Sequence, residues 1–193
     1  SKDVQAKFEP LLGRQMDLVY NGVPVEKYKL EDVTRFESPV TRMLLAGRIS
    51  VQKGQMDAIK AVELLMQRGI DTVLLTLVGQ GETKEYLEYV KSYVKEHELE
   101  QKICILEHHD DLRELRRQCD IGLTCSKKEA FGRVTVENML AKMLVIGANT
   151  GGTLEIVEDG YNGLLYEEGN PESLAGRIEY AMEHKMDMQI LLD

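Results

Sequence analysis

Two glutamates carry the densest chemistry in this sequence. Glu129 and Glu137 stand in the run Ser126-Lys127-Lys128-Glu129-Ala130-Phe131-Gly132-Arg133-Val134-Thr135-Val136-Glu137. The first falls in a loop after an apolar run, the second inside the helix into which that loop opens. Eight positions of continuous helix rotate by about 800°, returning the second residue near the face of the first. The loop relaxes that period but leaves both carboxylates near the helix opening. Val136, Met139 and Leu140 flank Glu137, so partial burial is expected. A partly buried carboxylate needs donors, and the hydroxyls of a ligand supply them. The alternative is a pair of solvated glutamates.

Four other loops have suitable composition. Gly47-Arg48-Ile49-Ser50-Val51-Gln52-Lys53-Gly54 places two cations between a strand and a helix start. Arg grips phosphate oxygens in a fork, Lys adds a point charge, and a helix N-terminus adds free N–H groups. The segment is not a P-loop, and its cations would equally serve as solvated surface charges. Val78-Gly79-Gln80-Gly81-Glu82-Thr83-Lys84 begins like a dinucleotide fingerprint, but Lys84 stands where the third glycine belongs. Gly79 and Gly81 still permit close backbone approach to a ligand, or merely a tight turn. Glu107-His108-His109-Asp110-Asp111 offers a histidine pair. Adjacent side chains diverge and no third ligand is spaced to join them, so no metal site is expected. Asp110-Asp111 reads as a turn, with Asp111 capping the next helix, and the backbone there can reach a nucleobase. Gly151-Gly152, before a short helix, is either a set of backbone donors or a plain turn.

The elements that must carry these loops alternate regularly. Met43 to Ala46, Val73 to Val78, Ile103 to Leu106, Ile121 to Thr124, Leu144 to Ile146 and Gly163 to Tyr166 read as buried strands. Between them, Met56 to Gln67, Thr83 to His97, Leu112 to Gln118 and Val134 to Ala141 read as helices, with Thr153 to Val157 a helical turn. Pro171 to Glu183 follows as a helix with proline in its first turn. Continuous apolar strands alternating with helices predict an α/β fold, a doubly wound, Rossmann-like parallel sheet. Ligands of such sheets bind at the carboxyl ends of the strands, where the five loops fall. Residues 1–40 read as an irregular segment, with Leu18 to Tyr20 as an edge strand and 24–40 as loop. Residues 41–185 form the predicted Rossmann-like domain, and 186–193 a tail.

The 193 residues suffice for one domain with a full core. Hydrophobic residues make up 43% and charged residues 30%, which excludes a disordered chain. A net charge of −9 argues against a nucleic-acid binder. No apolar run is long enough for a membrane span, and no apolar stretch follows Ser1-Lys2-Asp3 as in a signal peptide. The sequence does not begin with Met, so it reads as a processed chain or an excised fragment. Three cysteines without a CxxC pair fit buried thiols in a reducing cytoplasm.

Taken in order, several segments resemble the C-terminal donor-binding domain of GT-B glycosyltransferases, specifically glycosyltransferase family 4. They are Tyr20-Asn21-Gly22-Val23, Gly47-Arg48 with Lys53-Gly54, Val78-Gly79-Gln80-Gly81, Cys119-Asp120-Ile121, and Glu129-Ala130-Phe131-Gly132 with Glu137. Thr150-Gly151-Gly152 with Glu155-Ile156-Val157, and Asp159-Gly160 with Asn162-Gly163-Leu164-Leu165, complete the set, which spans residues 20–175. The resemblance implies a UDP-, GDP- or ADP-sugar donor and retaining transfer without a metal or other cofactor. It implies Arg48 and Lys53 as a diphosphate clamp, Glu137 as acceptor from ribose hydroxyls, and Glu129 as holder of the donor sugar. Arg48, Lys53 and Glu129 are thus the expected catalytic set. Backbone around Phe131, Gly132, Arg133 and Val134 would meet sugar and phosphate. Gly47, Gly79 and Gly81 would line the site, and Leu106, Glu107 and His108 would border the base. Lys142 and Leu144 stand where the family often has glycine and proline.

The resemblance further implies that an acceptor-binding N-terminal domain lies outside this chain, which would then be an inactive half. The tail would begin a helix crossing back to it. The expected acceptor is a cell-surface polysaccharide, glycolipid or related glycan, and the expected location is the cytoplasm, with membrane contact only through the other half. Competing readings are a non-catalytic sugar-nucleotide-binding or regulatory module and a GT-B-like sugar-nucleotide epimerase.

Overall fold

The computed structural model describes residues 1–108 and 111–191. After helices α1 (Lys2–Leu12) and α2 (Val25–Tyr28), strand β1 (Thr41–Ala46) leads through a 3-10 turn at Val51–Lys53 into α3 (Gln55–Gln67). Then come β2 (Val73–Val78), α4 (Lys84–Glu96), β3 (Ile103–Leu106), α5 (Arg113–Gln118), β4 (Ile121–Thr124) and α6 (Arg133–Leu140). The chain closes with β5 (Leu144–Ala148), α7 (Thr153–Ile156), β6 (Leu164–Tyr166), α8 (Pro171–Glu183) and α9 (Lys185–Ile190). Among the described residues one six-stranded sheet forms, in the order β3-β2-β1-β4-β5-β6, and its pairings are parallel. The expected doubly wound, Rossmann-like α/β fold is therefore present.

The period of the strands decides both faces. On β1, Met43 and Leu45 enter one core with Ile59, Val62 and Leu65 of α3, Val90 of α4 and Ile178 of α8. Leu44 and Ala46 enter a second core with Leu30, Cys119, Ala141 and Met143. Burying each such leucine contributes about 1.5–3 kcal/mol, so a one-residue slip of β1 would lose both cores together. Consecutive strands progress outward in opposite directions from β1 and β4, which makes the gap between them the switch point where ligands of open sheets bind.

The N-terminal region departs from the expectation. Lys2–Leu12 is helical, with the Ser1 hydroxyl accepting the Val4 N–H at 3.3 Å. Leu18 to Tyr20 forms no strand and pairs with neither edge of the sheet. Val19 is 84% exposed, and Tyr20 places its ring against Phe131 instead. Within 24–40, Val25–Tyr28 is a short helix, and the rest is pinned by one buried cation. Arg35 donates to the carbonyls of Arg117 (2.8 Å), Cys119 (2.6 Å), Lys142 (2.9 Å) and Ala141. These carbonyls lie at the C-terminal ends of α5 and α6, where no intrahelical donor reaches. Asp120 completes the joint by accepting the N–H groups of Phe36 and Arg42 at 2.7 and 2.9 Å. Burial, partly opposed by Asp120, lowers the Arg35 pKa to about 10, so it remains a cation near neutrality.

Of the tail, the described part is helical through Ile190 as α9, and Met188 is buried in the main core. Cys119 and Cys125 are buried free thiols, and burial raises both to about 12, where they are unreactive. Cys104 is exposed, contrary to the expectation of three buried thiols, because its side of the edge strand β3 is uncovered. No helix among the described residues is long and apolar enough to cross a membrane.

Candidate functional site

The loop after β1 is shaped from inside. Gln55, fully buried at the start of α3, donates to the Arg48 carbonyl at 2.8 Å and accepts the Ser50 N–H at 3.2 Å. On its outer side Ile49 bonds to Gln80 and Glu82, so the loops after β1 and β2 travel together. At Gly79 a Cβ would lie 1.9 Å from the Gly47 carbonyl oxygen, and φ is +155°. Close approach of two backbones is thus what the glycine at Gly79 serves.

The loop after β4 is seated against this first loop. A Cβ on Gly54 would lie 2.1 Å from the Cys125 carbonyl oxygen, and the Lys127 N–H donates to Gln52 at 2.9 Å. That approach brings Lys53 Nζ within 2.7 Å of Glu129 Oε2, which also accepts from the Ser126 hydroxyl at 3.0 Å. Burial pushes the Glu129 carboxyl up, but Lys53, Ser126 and the Gly132 N–H outweigh it and hold the pKa below the ordinary value. Glu129 is therefore an ionised, oriented acceptor. Gly151 and Gly152 support it from behind: the Gly152 N–H donates to the Glu129 carbonyl at 2.6 Å. A Cβ on Gly152 would lie 2.5 Å from the Phe131 carbonyl oxygen. The pair serves the Glu129 loop.

Helix α6 starts at Gly132, in the left-handed region at φ +92°, without a side-chain cap. The first-turn N–H groups behind it lack intrahelical acceptors, an arrangement that attracts anions. One turn on, Glu137 is 8% exposed, and its Oε2 accepts from Arg116 Nη2 at 2.6 Å.

A cavity of about 330 Å³ opens at these strand ends. It brings together Gly47, Arg48 and Gly79 with His108, Arg133, Val134 and Glu137. Lys53 and Glu129 occupy an adjoining narrow crevice that shares Ala46 and Val134 with the cavity. Gly81, Leu106 and Glu107 line a separate cavity of about 280 Å³, across Gly79 and Gln80. The stretch expected to border a base is therefore divided, and only His108 of the three shares the cavity of Glu137. Phe131 lies on the outer side, 5.9 Å from the Tyr20 ring. Arg48 is exposed and, among the described residues, pairs with Glu82 at 3.1 Å, a surface contact worth at most about 1 kcal/mol, so little restrains it from an anionic ligand.

The expected cap is corrected: the helix starts one residue later, with Leu112 at the cap position and no side-chain cap, and Asp111, one residue before it, accepts the Arg113 N–H at 2.8 Å as a local turn. His109 and Asp110, singled out in the sequence as possible ligand and turn residues, lie outside the described residues. Four contributors had not been expected: Gln55, Ser126, Arg116 and Tyr28. For Arg116 a signal existed. It stands four residues after Leu112 and three before Cys119, on the face those two residues turn to the second core, and a cation on an apolar face needs an anion.

A doubly wound parallel sheet with cations and carboxylates gathered at its switch point defines a Rossmann-like ligand-binding domain. The chain belongs to the family described as glycosyl transferases group 1, whose model matches residues 28–190. It is 31% identical over 181 residues to the uncharacterised glycosyltransferase MJ1178 of Methanocaldococcus jannaschii, covering 92% of this chain and 47% of that relative. The structure of Anabaena Alr3699/HepE in complex with UDP superposes with a TM-score of 0.88 at 27% identity, covering all of this chain and 55% of that one. The C-terminal domain of the group 1 protein LpcC from Francisella tularensis shares the fold, with a TM-score of 0.74 at 22% identity, over 88% of this chain and 93% of that one. The chain spans about half the length of the curated relatives it matches.

Proposed function

We propose that this chain is the sugar-nucleotide-binding half of a retaining, metal-independent glycosyltransferase of family 4. It takes a UDP-, GDP- or ADP-sugar and passes the sugar to a polysaccharide, glycolipid or related glycan acceptor in the cytoplasm. The observation that carries this reading is the juxtaposition at the switch point: Arg48 and Glu137 share one cavity, with the Lys53–Glu129 pair in the crevice beside it. The relative Alr3699/HepE was solved with UDP and with UDP-glucose, which supports a nucleotide-sugar donor.

Cleavage of the bond between the sugar and the diphosphate leaves negative charge on the diphosphate. Arg48, the Lys53 ammonium and the uncapped start of α6 are positioned to stabilise that charge as it develops. Glu129, held by Lys53 and Ser126, accepts from sugar hydroxyls and orients the sugar. Glu137 accepts from the ribose. The acceptor is held by a domain in the further length that the relatives possess.

Two expected results test this reading. In calorimetric titrations, Glu137→Gln weakens UDP and UDP-glucose alike, whereas Glu129→Gln spares UDP and removes only the increment added by the sugar. Each loss is about 1–2 kcal/mol, roughly 5- to 30-fold in affinity. Equal losses for both ligands in both variants would refute the division of labour. Secondly, the chain folds alone, since both cores close within it, but transfers no sugar from UDP-, GDP- or ADP-glucose to added glycans. Turnover by the isolated chain contradicts the half-enzyme reading.

A further inference from the structure

We propose that Arg116 is a positioning residue for the nucleotide: it holds the Glu137 carboxylate in the orientation that accepts from the ribose. The inference rests on the reading of Glu137 as the ribose acceptor. Arg116 belongs to none of the motifs in the strand-end loops, and it comes from α5, behind the site. Its side chain is 4% exposed, so the cation must be paired where it stands. Nη2 lies 2.6 Å from Glu137 Oε2, and Nε lies 3.2 Å from Asn138 Oδ1. One planar group therefore grips two consecutive residues of α6, which the single ammonium of lysine does less well. With Oε2 taken by Arg116, Oε1 is left as the acceptor for a ligand hydroxyl.

The other partner of the guanidinium is Tyr28, whose ring centroid lies 5.3 Å from the guanidinium carbon. Tyr28 is in turn placed by Arg113, which donates to the carbonyls of Glu26, Lys27 and Lys29 at 3.3, 3.1 and 2.9 Å. A recess of about 140 Å³ between α2 and α5 is lined by Tyr28, His108, Arg116 and Glu137 and adjoins the central cavity. Arg116 thus borders both spaces that flank the Glu137 carboxylate. Without it, the carboxylate loses its protein donor and must be ordered by the ligand itself, at the expense of affinity.

The test reads ribose recognition separately from folding. UDP, GDP and ADP are titrated into the chain by calorimetry, and the tightest is compared with its 2′-deoxy counterpart. The wild type prefers the ribose form. Arg116→Met loses about tenfold for the ribose form and much less for the 2′-deoxy form, so the preference shrinks. Arg116→Lys falls between, and Arg116→Met adds little in a Glu137→Gln background. An equal loss for both ligands, or an additive loss in the double variant, overturns the proposal and leaves the nucleotide site standing. A wild type that binds a diphosphate without preferring ribose removes the role of Glu137, and this proposal with it. A wild type that binds none of the three removes the nucleotide site itself. If Arg116→Met does not fold, Tyr28→Leu, at a half-buried position, is expected to shrink the same preference by about threefold. An unchanged preference in that variant overturns the proposal.

Discussion

Replacing Arg35 with methionine is expected to lower the free energy of unfolding by about 3–5 kcal/mol, the range for removing one side of a buried charged network. Methionine fills the space of the stem but donates to nothing. The carbonyls of Arg117, Cys119, Ala141 and Lys142 then lose their donor at the ends of α5 and α6. Asp120 also loses the positive charge beside it. Arg35→Lys restores the charge but not the fork, so it should recover only part of the loss. Urea unfolding measures the effect as a lower midpoint at constant slope. An unchanged midpoint would mean that water satisfies these carbonyls and that residues 24–40 are dispensable for the fold. Because α5 carries Arg116 and α6 carries Glu137, a weakened joint should also reduce nucleotide affinity.

Removing the two cations should have the larger effect on binding. Arg48→Met or Lys53→Met is expected to cost roughly 1.5–3 kcal/mol of UDP affinity, the range for hydrogen bonds to charged groups, or about 10- to 150-fold. Binding of uridine should hardly change, since it has no phosphate. The two variants should nevertheless differ. Arg48 is exposed and only loosely paired with Glu82, so its loss disturbs nothing else. Lys53 neutralises Glu129 at 2.7 Å. Its removal leaves a half-buried carboxylate beside the developing charge, so Lys53→Met should also weaken the increment that a sugar adds. Titration of both variants with uridine, UDP and UDP-glucose separates these effects. If wild-type chain binds uridine as tightly as UDP, no clamp exists.

The fold was legible because its signals are local and periodic. Val73–Val78, Ile103–Leu106, Ile121–Thr124 and Pro171–Glu183 can be bounded from residue types alone. Alternation of strand and helix then leaves the parallel sheet as the solution that buries both faces. The N-terminal region resisted the same treatment. A strand at Leu18 to Tyr20 depends on pairing that only the assembled sheet decides, and α1, although Val4, Phe8, Leu11 and Leu12 stand at helical spacing, contains Pro10 and leaves Phe8, Leu11 and Leu12 exposed.

By itself, the sequence determined the order of elements, the loops at the strand ends and the residue types those loops carry. Tertiary structure alone decided who meets whom. Lys53 and Glu129 are far apart in the chain, and they pair only because Gly54 lets the first loop lie against Cys125. Gly151 and Gly152 looked like ligand donors or a turn, and their position behind Glu129 and Phe131 makes them a seat for the loop. Glu137 was legible as a carboxylate in need of donors, yet the donor, Arg116, comes from another helix. The physical reason is common to these cases. Propensity and period act over a few residues along the chain. A buried charge is instead satisfied by whichever partner packing brings within hydrogen-bond distance, and sequence spacing does not encode that distance.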